Sequence, residues 1–185
     1  QIQKFYLALR GYRGYPETAL CLWLIALTAC RLGEAANAEW EEFDFEDAVW
    51  RRPAAKMKAR RDHISPLSTQ AIAVLKDLQR ITGEGRYLFP HRSGKGFATP
   101  NRLTYAMRDM NLGRGTTPHC WRTTFSTWAN ENGFRPDAIE RQLAHVEGNK
   151  VRATYNKALL LDARKLMLQA WGNYLEDANN GNASK

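Results

Sequence analysis

His119 and Arg122 stand three residues apart in Pro118-His119-Cys120-Trp121-Arg122, a spacing that places both side chains on one face of a helix's first turn. Such a pair can grip one phosphate. Arg31 closes the thirteen-residue apolar run Thr18 to Cys30, and Glu34 follows it three residues on. A permanent charge there is costly unless it faces a cleft, and Glu34 could hold it. His145 and Tyr155 flank Glu147-Gly148-Asn149. On one unbroken helix they would lie about 15 Å apart, with faces about 80° apart, so they meet only if the chain turns at Gly148. Arg51, Arg52, Lys56, Lys58, Arg60 and Arg61 crowd eleven residues, the pattern of a basic finger that can follow a DNA backbone. Taken one at a time, each signal also fits a plainer role: a capping histidine, a surface ion pair worth under about 1 kcal/mol, a packed tyrosine, a solvated turn.

The elements that must position these groups read as mostly helical. A short amphipathic segment at Ile2 to Leu9 and a turn at Gly11 to Pro16 precede a long helix from about Glu17, whose apolar run ends near Arg31-Leu32-Gly33-Glu34. Between Glu42 and Leu67 the period shifts. Phe43, Phe45, Val49 and Trp50 flank Glu46-Asp47, and His63-Ile64-Ser65-Pro66-Leu67 follows the basic run, which predicts a small antiparallel sheet with its later turn at Lys56 to Arg61. Ser68 is a plausible N-cap for a helix to Ile81 with Ile72, Leu75 and Leu78 on one face. Tyr87 to Pro90 is extended and Gly94 to Gly96 a loop; from Thr99 the chain reads as helical, broken at Gly113 to Pro118, Gly133 to Pro136 and Glu147 to Asn149. The acidic cluster Glu39, Glu41, Glu42, Asp44, Glu46 and Asp47 is expected to face away from a polyanion.

Composition sets the outer bounds. The 185 residues are 44% hydrophobic, enough for one domain with a sizeable core, which excludes disorder as the main state. Net charge is +8, with 27 Lys and Arg against 19 acids, which favours a nucleic-acid partner. Three cysteines, Cys21, Cys30 and Cys120, without a C-x-x-C pair give neither a disulfide framework nor a zinc knuckle and fit a reducing compartment. The longest apolar run falls short of the roughly 20 residues a membrane crossing needs.

Joined in order, Arg31-x-x-Glu34, Lys58 on a hairpin, His119-x-x-Arg122, His145 and Tyr155 resemble the catalytic domain of the tyrosine recombinase (phage integrase) family, nearest to integrases of satellite phages and genomic islands. The segments TACRLGEAANAEW, KMKARRDHISPLSTQA, LFPHRSGKG, HCWRTTFSTWANENGF and IERQLAHVEGNKVRATYNKA carry the likeness. It implies an α+β fold, mainly α, with a three-stranded antiparallel sheet over residues 1–176, a mobile tail at 177–185, and upstream DNA-binding domains outside this stretch, which opens on Gln1. It implies Arg31 and Arg122 as phosphate clamps, Lys58, His119 and His145 for proton transfer and hydrogen bonding, Tyr155 as nucleophile, and Glu34 as organiser of Arg31. Lys58 is preferred to Lys56 because Met57-Lys58 shortly before an Ile-x-Pro-Leu-like strand matches best. Lys56, Arg60, Arg61 and Lys95 are expected on DNA. No metal or other cofactor is implied, and the partners are double-stranded attachment sites and sister protomers, a tetramer on DNA and a monomer when free, in a bacterial cytoplasm on chromosomal or phage DNA. Competing readings are a type IB topoisomerase, which nicks and closes as a monomer, and a basic DNA-binding module without chemistry.

Overall fold

Pro16 pre-sets the first turn of the central helix, and the apolar residues that follow cover every side of it because it is enclosed on all sides. The computed structural model describes residues 2–112, 116–145 and 160–180. Helix α1 is Ile2–Arg10 and α2 is Pro16–Thr28. Helices α3 (Leu32–Ala36), α4 (Thr69–Thr82), α5 (Pro100–Asp109), α6 (Cys120–Glu131) and a last helix pack around α2. Between α6 and that helix comes α7, Pro136–Gln142. The last helix, α8, is Leu161–Asn179. Leu22, Leu24, Ile25 and Leu27 of α2 are essentially inaccessible to water, as are Leu75, Phe125 and Trp171 from the helices around it.

The long helix expected to run into Arg31-Glu34 instead stops at Thr28. Ala29 takes a left-handed φ of 51° and donates its N–H to Ile25 O, ending the ladder. The chain restarts at Arg31, an extended N-cap whose N–H is received by Glu34. The break frees Arg31 from the helix axis.

The sheet follows the expected order. Strands β1 (Phe43–Asp44), β2 (Val49–Arg52) and β3 (His63–Pro66) are antiparallel neighbours, with Trp50 opposite Ser65 and Arg52 opposite His63. Ser68 caps α4, its oxygen accepting from Ala71 N–H at 3.2 Å. The architecture is α+β, mainly α.

One boundary is corrected. The tail was expected from residue 177, but α8 reaches Asn179 and Ala178 is buried, because Leu175 and Ala178 continue one apolar face toward α1. On the same helix Met167, Leu168 and Trp171 are buried within their own chain, and Leu166 is 71% exposed. Gly172 lets α8 approach closely, since a Cβ there would collide with Gln70 Oε1. Among the described residues no helix is long and apolar enough to cross a membrane.

Candidate active site

Two arginine side chains from separate elements meet on the backbone just after α7, beside the ring of His145 on that same segment. Arg122, on the first turn of α6 and 5% exposed, donates from Nη1 to Ala29 O at 2.7 Å and from Nη2 to Leu143 O at 2.7 Å. The left-handed Ala29 therefore both ends α2 and presents its carbonyl to this guanidinium. Arg31 donates from Nη1 to Glu34 Oε1 at 2.9 Å and reaches Ala144 O from Nη2 at 3.4 Å. His145 places Nε2 3.3 Å from Arg122 Nη2 and Nδ1 2.7 Å from Glu140 Oε2. With a carboxylate on one nitrogen and a guanidinium N–H on the other, the consistent tautomer carries its proton on Nδ1 and accepts at Nε2.

Burial, and next the charge of Arg31, push the Arg122 guanidinium below its ordinary pKa. Two cations crowded into one partly desolvated cleft favour an anion between them, and a phosphodiester is one. His119 is exposed at the N-cap of α6, one turn before Arg122, and its side chain makes no capping hydrogen bond. That removes the capping reading; among the described residues no hydrogen bond ties the ring to Arg31, Arg122 or His145.

Lys56 and Lys58 part company. Lys56 Nζ lies 2.8 Å from Glu39 Oε1, donates to Asn37 O at 2.9 Å and pairs with Glu42. These partners hold its ammonium against the protein, so that it fastens the β2–β3 connection to the segment after α3. The acidic cluster divides by burial. Glu39 and Glu42 are buried and paired, Glu39 also with Arg86, while Glu41, Glu46 and Asp47 stay exposed. Lys58 stands exposed on the Pro53 to Asp62 connection between β2 and β3, with no hydrogen bond or ion pair to the arginine cluster among the described residues. Arg60 and Arg61 are exposed on that connection, and Lys95 on the turn before Gly96. Tyr155 lies outside the described residues.

Sequence reasoning missed the residues behind the cluster. Glu140, which holds His145, is five positions upstream of it. Arg52, Ser65, Gln142 and Arg164 form a buried polar set behind Glu34, from four elements with no shared spacing. Among the described residues no group of three or more His, Cys, Asp or Glu is gathered as for a metal ion.

Residues 1–160 match the model of the phage integrase family. Prophage integrase IntA of Escherichia coli strain K12 is 39% identical over 168 residues, 88% of this chain and 39% of that protein. The integrase of Enterobacteria phage P4 is 38% identical over 191 residues, 94% of this chain and 43% of that protein. The chain thus spans less than half the length of these relatives. Among solved structures, the integrase from mycobacterium phage Brujita superposes with a TM-score of 0.70 at 16% identity, over 89% of this chain and 55% of that one. XerA recombinase gives 0.64 at 18% identity, over 90% and 61%. At that identity the two structures speak to the fold.

Proposed function

The chain belongs to the phage integrase family, and from that premise we propose that it cuts and rejoins DNA strands in site-specific recombination of a mobile element. The reading rests on one observation above the others: Arg31 at the start of α3 and Arg122 on α6 converge on the Leu143 and Ala144 carbonyls, beside the His145 ring. Attack on a phosphodiester builds negative charge on the nonbridging oxygens. Arginine meets that charge with a permanent, planar, two-pronged donor that lysine does not reproduce. Arg31 and Arg122 hold the phosphate, and His145, fixed by Glu140, adds a ring nitrogen beside it.

In this reading the Tyr155 phenol passes its proton to the His119 ring as its oxygen attacks phosphorus, and the bond to the 5′-oxygen breaks. Lys58 gives that oxygen its proton, and His119 completes the hydrogen bonding at the cleft. The product is a 3′-phosphotyrosine ester. A free tyrosine has a pKa near 10, so its phenolate is a good leaving group, and an incoming DNA 5′-hydroxyl reverses the step without ATP. Lys58 as general acid is worth roughly 10²- to 10⁴-fold, and either arginine about 3 to 4 kcal/mol of barrier. Recombination requires four such sites on two duplexes, hence a tetramer on DNA and, with the inner face of α8 covered in its own chain, a monomer when free.

A pool of nicked duplexes with randomised sequence tests this, because a short fragment released at the nick prevents religation and traps the covalent adduct. The wild-type chain is expected to yield a protein–DNA adduct in EDTA, and Tyr155→Phe none. An adduct formed by the Phe variant would remove the nucleophile assigned here; no adduct from the wild type would remove the enzyme.

A further inference from the structure

Behind Arg31 lies a chain of buried polar groups that the chemistry above does not use. Glu34 spends Oε1 on Arg31 Nη1 at 2.9 Å, while its Oε2 accepts from the Arg31 N–H at 3.2 Å and from Nη1 of Arg52 on β2. Arg52 donates its Nη2 to Ser65 on β3. Ser65 also receives Gln142 Nε2 at 3.3 Å, and Gln142 Oε1 accepts from Arg164 of α8 at 2.7 Å. Glu34 is 6% exposed and Arg52 3%.

Stability alone does not explain Arg52. Burial lowers its pKa, and its Nε is buried without a hydrogen-bond partner among the described residues. Exchanging a whole buried ion pair for apolar side chains of similar volume is often neutral or stabilising, whereas removing one partner alone is costly. Position 52 follows the inward Val49 and Trp50 on a short strand, and its guanidinium lies 4.2 Å over the Trp50 ring, so an apolar chain of that length would fill the same space. What the charge adds is a fixed position for Glu34. Arg31, by contrast, keeps 27% of its side chain exposed at the cleft and has several rotamers to choose from.

We propose that Arg52 is a positioning residue for strand cleavage: by pinning one oxygen of Glu34 from inside the sheet, it holds the Arg31 fork turned to the phosphate. This deepens the function proposed above and rests on it. Ser65 and Gln142 in turn fix the second prong of Arg52, so the clamp is braced against α7 and α8.

The test uses the duplex that the wild-type chain captures from the nicked pool. Arg52→Met leaves Glu34 with Arg31 as its remaining cation, so it is expected to melt below the wild-type temperature while staying folded, and to bind that duplex within about threefold of wild type. At saturating protein its adduct should form about 10- to 100-fold more slowly. Arg52→Lys, which keeps the charge without the fork, should fall between the two. In a Glu34→Gln background, Arg52→Met should cause little further loss, since both act through the same carboxylate. A wild-type cleavage rate in folded Arg52→Met, or losses that multiply in the double variant, would overturn the proposal. If the Met variant does not fold, Arg52→Lys decides on the same two criteria. A wild type that captures no duplex takes down the proposed function and this inference together, whereas a cleaving wild type matched by its Arg52 variants takes down the inference alone.

Discussion

Two lysines two residues apart in the basic run have opposite fates, and the difference is chemical. Lys56 is clasped by Glu39, Glu42 and the Asn37 carbonyl, and those contacts raise its pKa against the opposing cost of burial. A proton held that way is poorly placed to leave. Lys58 is exposed and sits beside the buried Met57, which anchors the turn. The two roles separate on a substrate whose 5′-bridging oxygen is replaced by sulfur. A thiolate is far less basic than an alkoxide and departs without a proton. Lys58→Ala should therefore cleave ordinary DNA about 10²- to 10⁴-fold more slowly and recover most of that loss on the sulfur substrate. Lys56→Ala should lower the melting temperature and act alike on both substrates. Equal defects of Lys58→Ala on the two substrates would deny it the general-acid role.

At the level of elements, the β2–β3 hairpin and the segment before it carry two groups strongly disturbed by folding. Burial first, then the charges of Arg52, Arg164, Arg141 and Arg31, push His63 on β3 down to about 2. Hydrogen bonds from Arg86 and then Lys56 hold Glu39 at about 2. Both folded values lie below the unfolded ones, so in each case the unfolded chain takes up protons that the folded chain refuses. Stability is then complete above about pH 6.5 and is lost as pH falls, through His63 at first and through Glu39 as well below about 4.5. Denaturant titrations across this range should show the decline starting near pH 6.5, at up to about 1.4 kcal/mol per pH unit for one group. His63→Asn should flatten it between about pH 6.5 and 5. Unchanged wild-type stability over that upper interval would contradict the burial of a neutral His63. The hairpin itself was legible from its alternation and turn residues, as α4 was from its Ser68 cap. The break at Ala29 was not, because an alanine in the left-handed region leaves no mark on the sequence and is imposed by its carbonyl's contact with Arg122. Arg31, Arg122 and His145, which the fold brings together, could be singled out in the sequence only as part of an ordered set. Arg52, Gln142 and Arg164 escaped even that, since their partners lie up to a hundred positions away.

Over the whole molecule the charge is sorted by depth. Net charge is +8, yet Glu34, Glu39 and Glu42 are buried and neutralised by Arg31, Arg52, Lys56 and Arg86. Asp44 serves the Glu46 and Asp47 N–H groups and Arg51. Internal pairing leaves Lys58, Arg60, Arg61 and Lys95 standing out from the surface, and exposed cations of this kind act on DNA by displacing condensed counterions. That predicts a division of labour between binding and chemistry. Each phosphate contact contributes about 0.9 to the slope of log K against log salt concentration. Replacing Arg60 and Arg61 together by Ala should therefore reduce the slope by up to about 1.8. At low salt and saturating protein the adduct should still form within about threefold of the wild-type rate, because neither side chain is placed at the reacting phosphate. Salt-dependent binding measured beside single-turnover cleavage reads both quantities. An unchanged slope would mean that this turn points away from the duplex, and since Lys58 rides on the same connection, it would move the general acid out of reach as well.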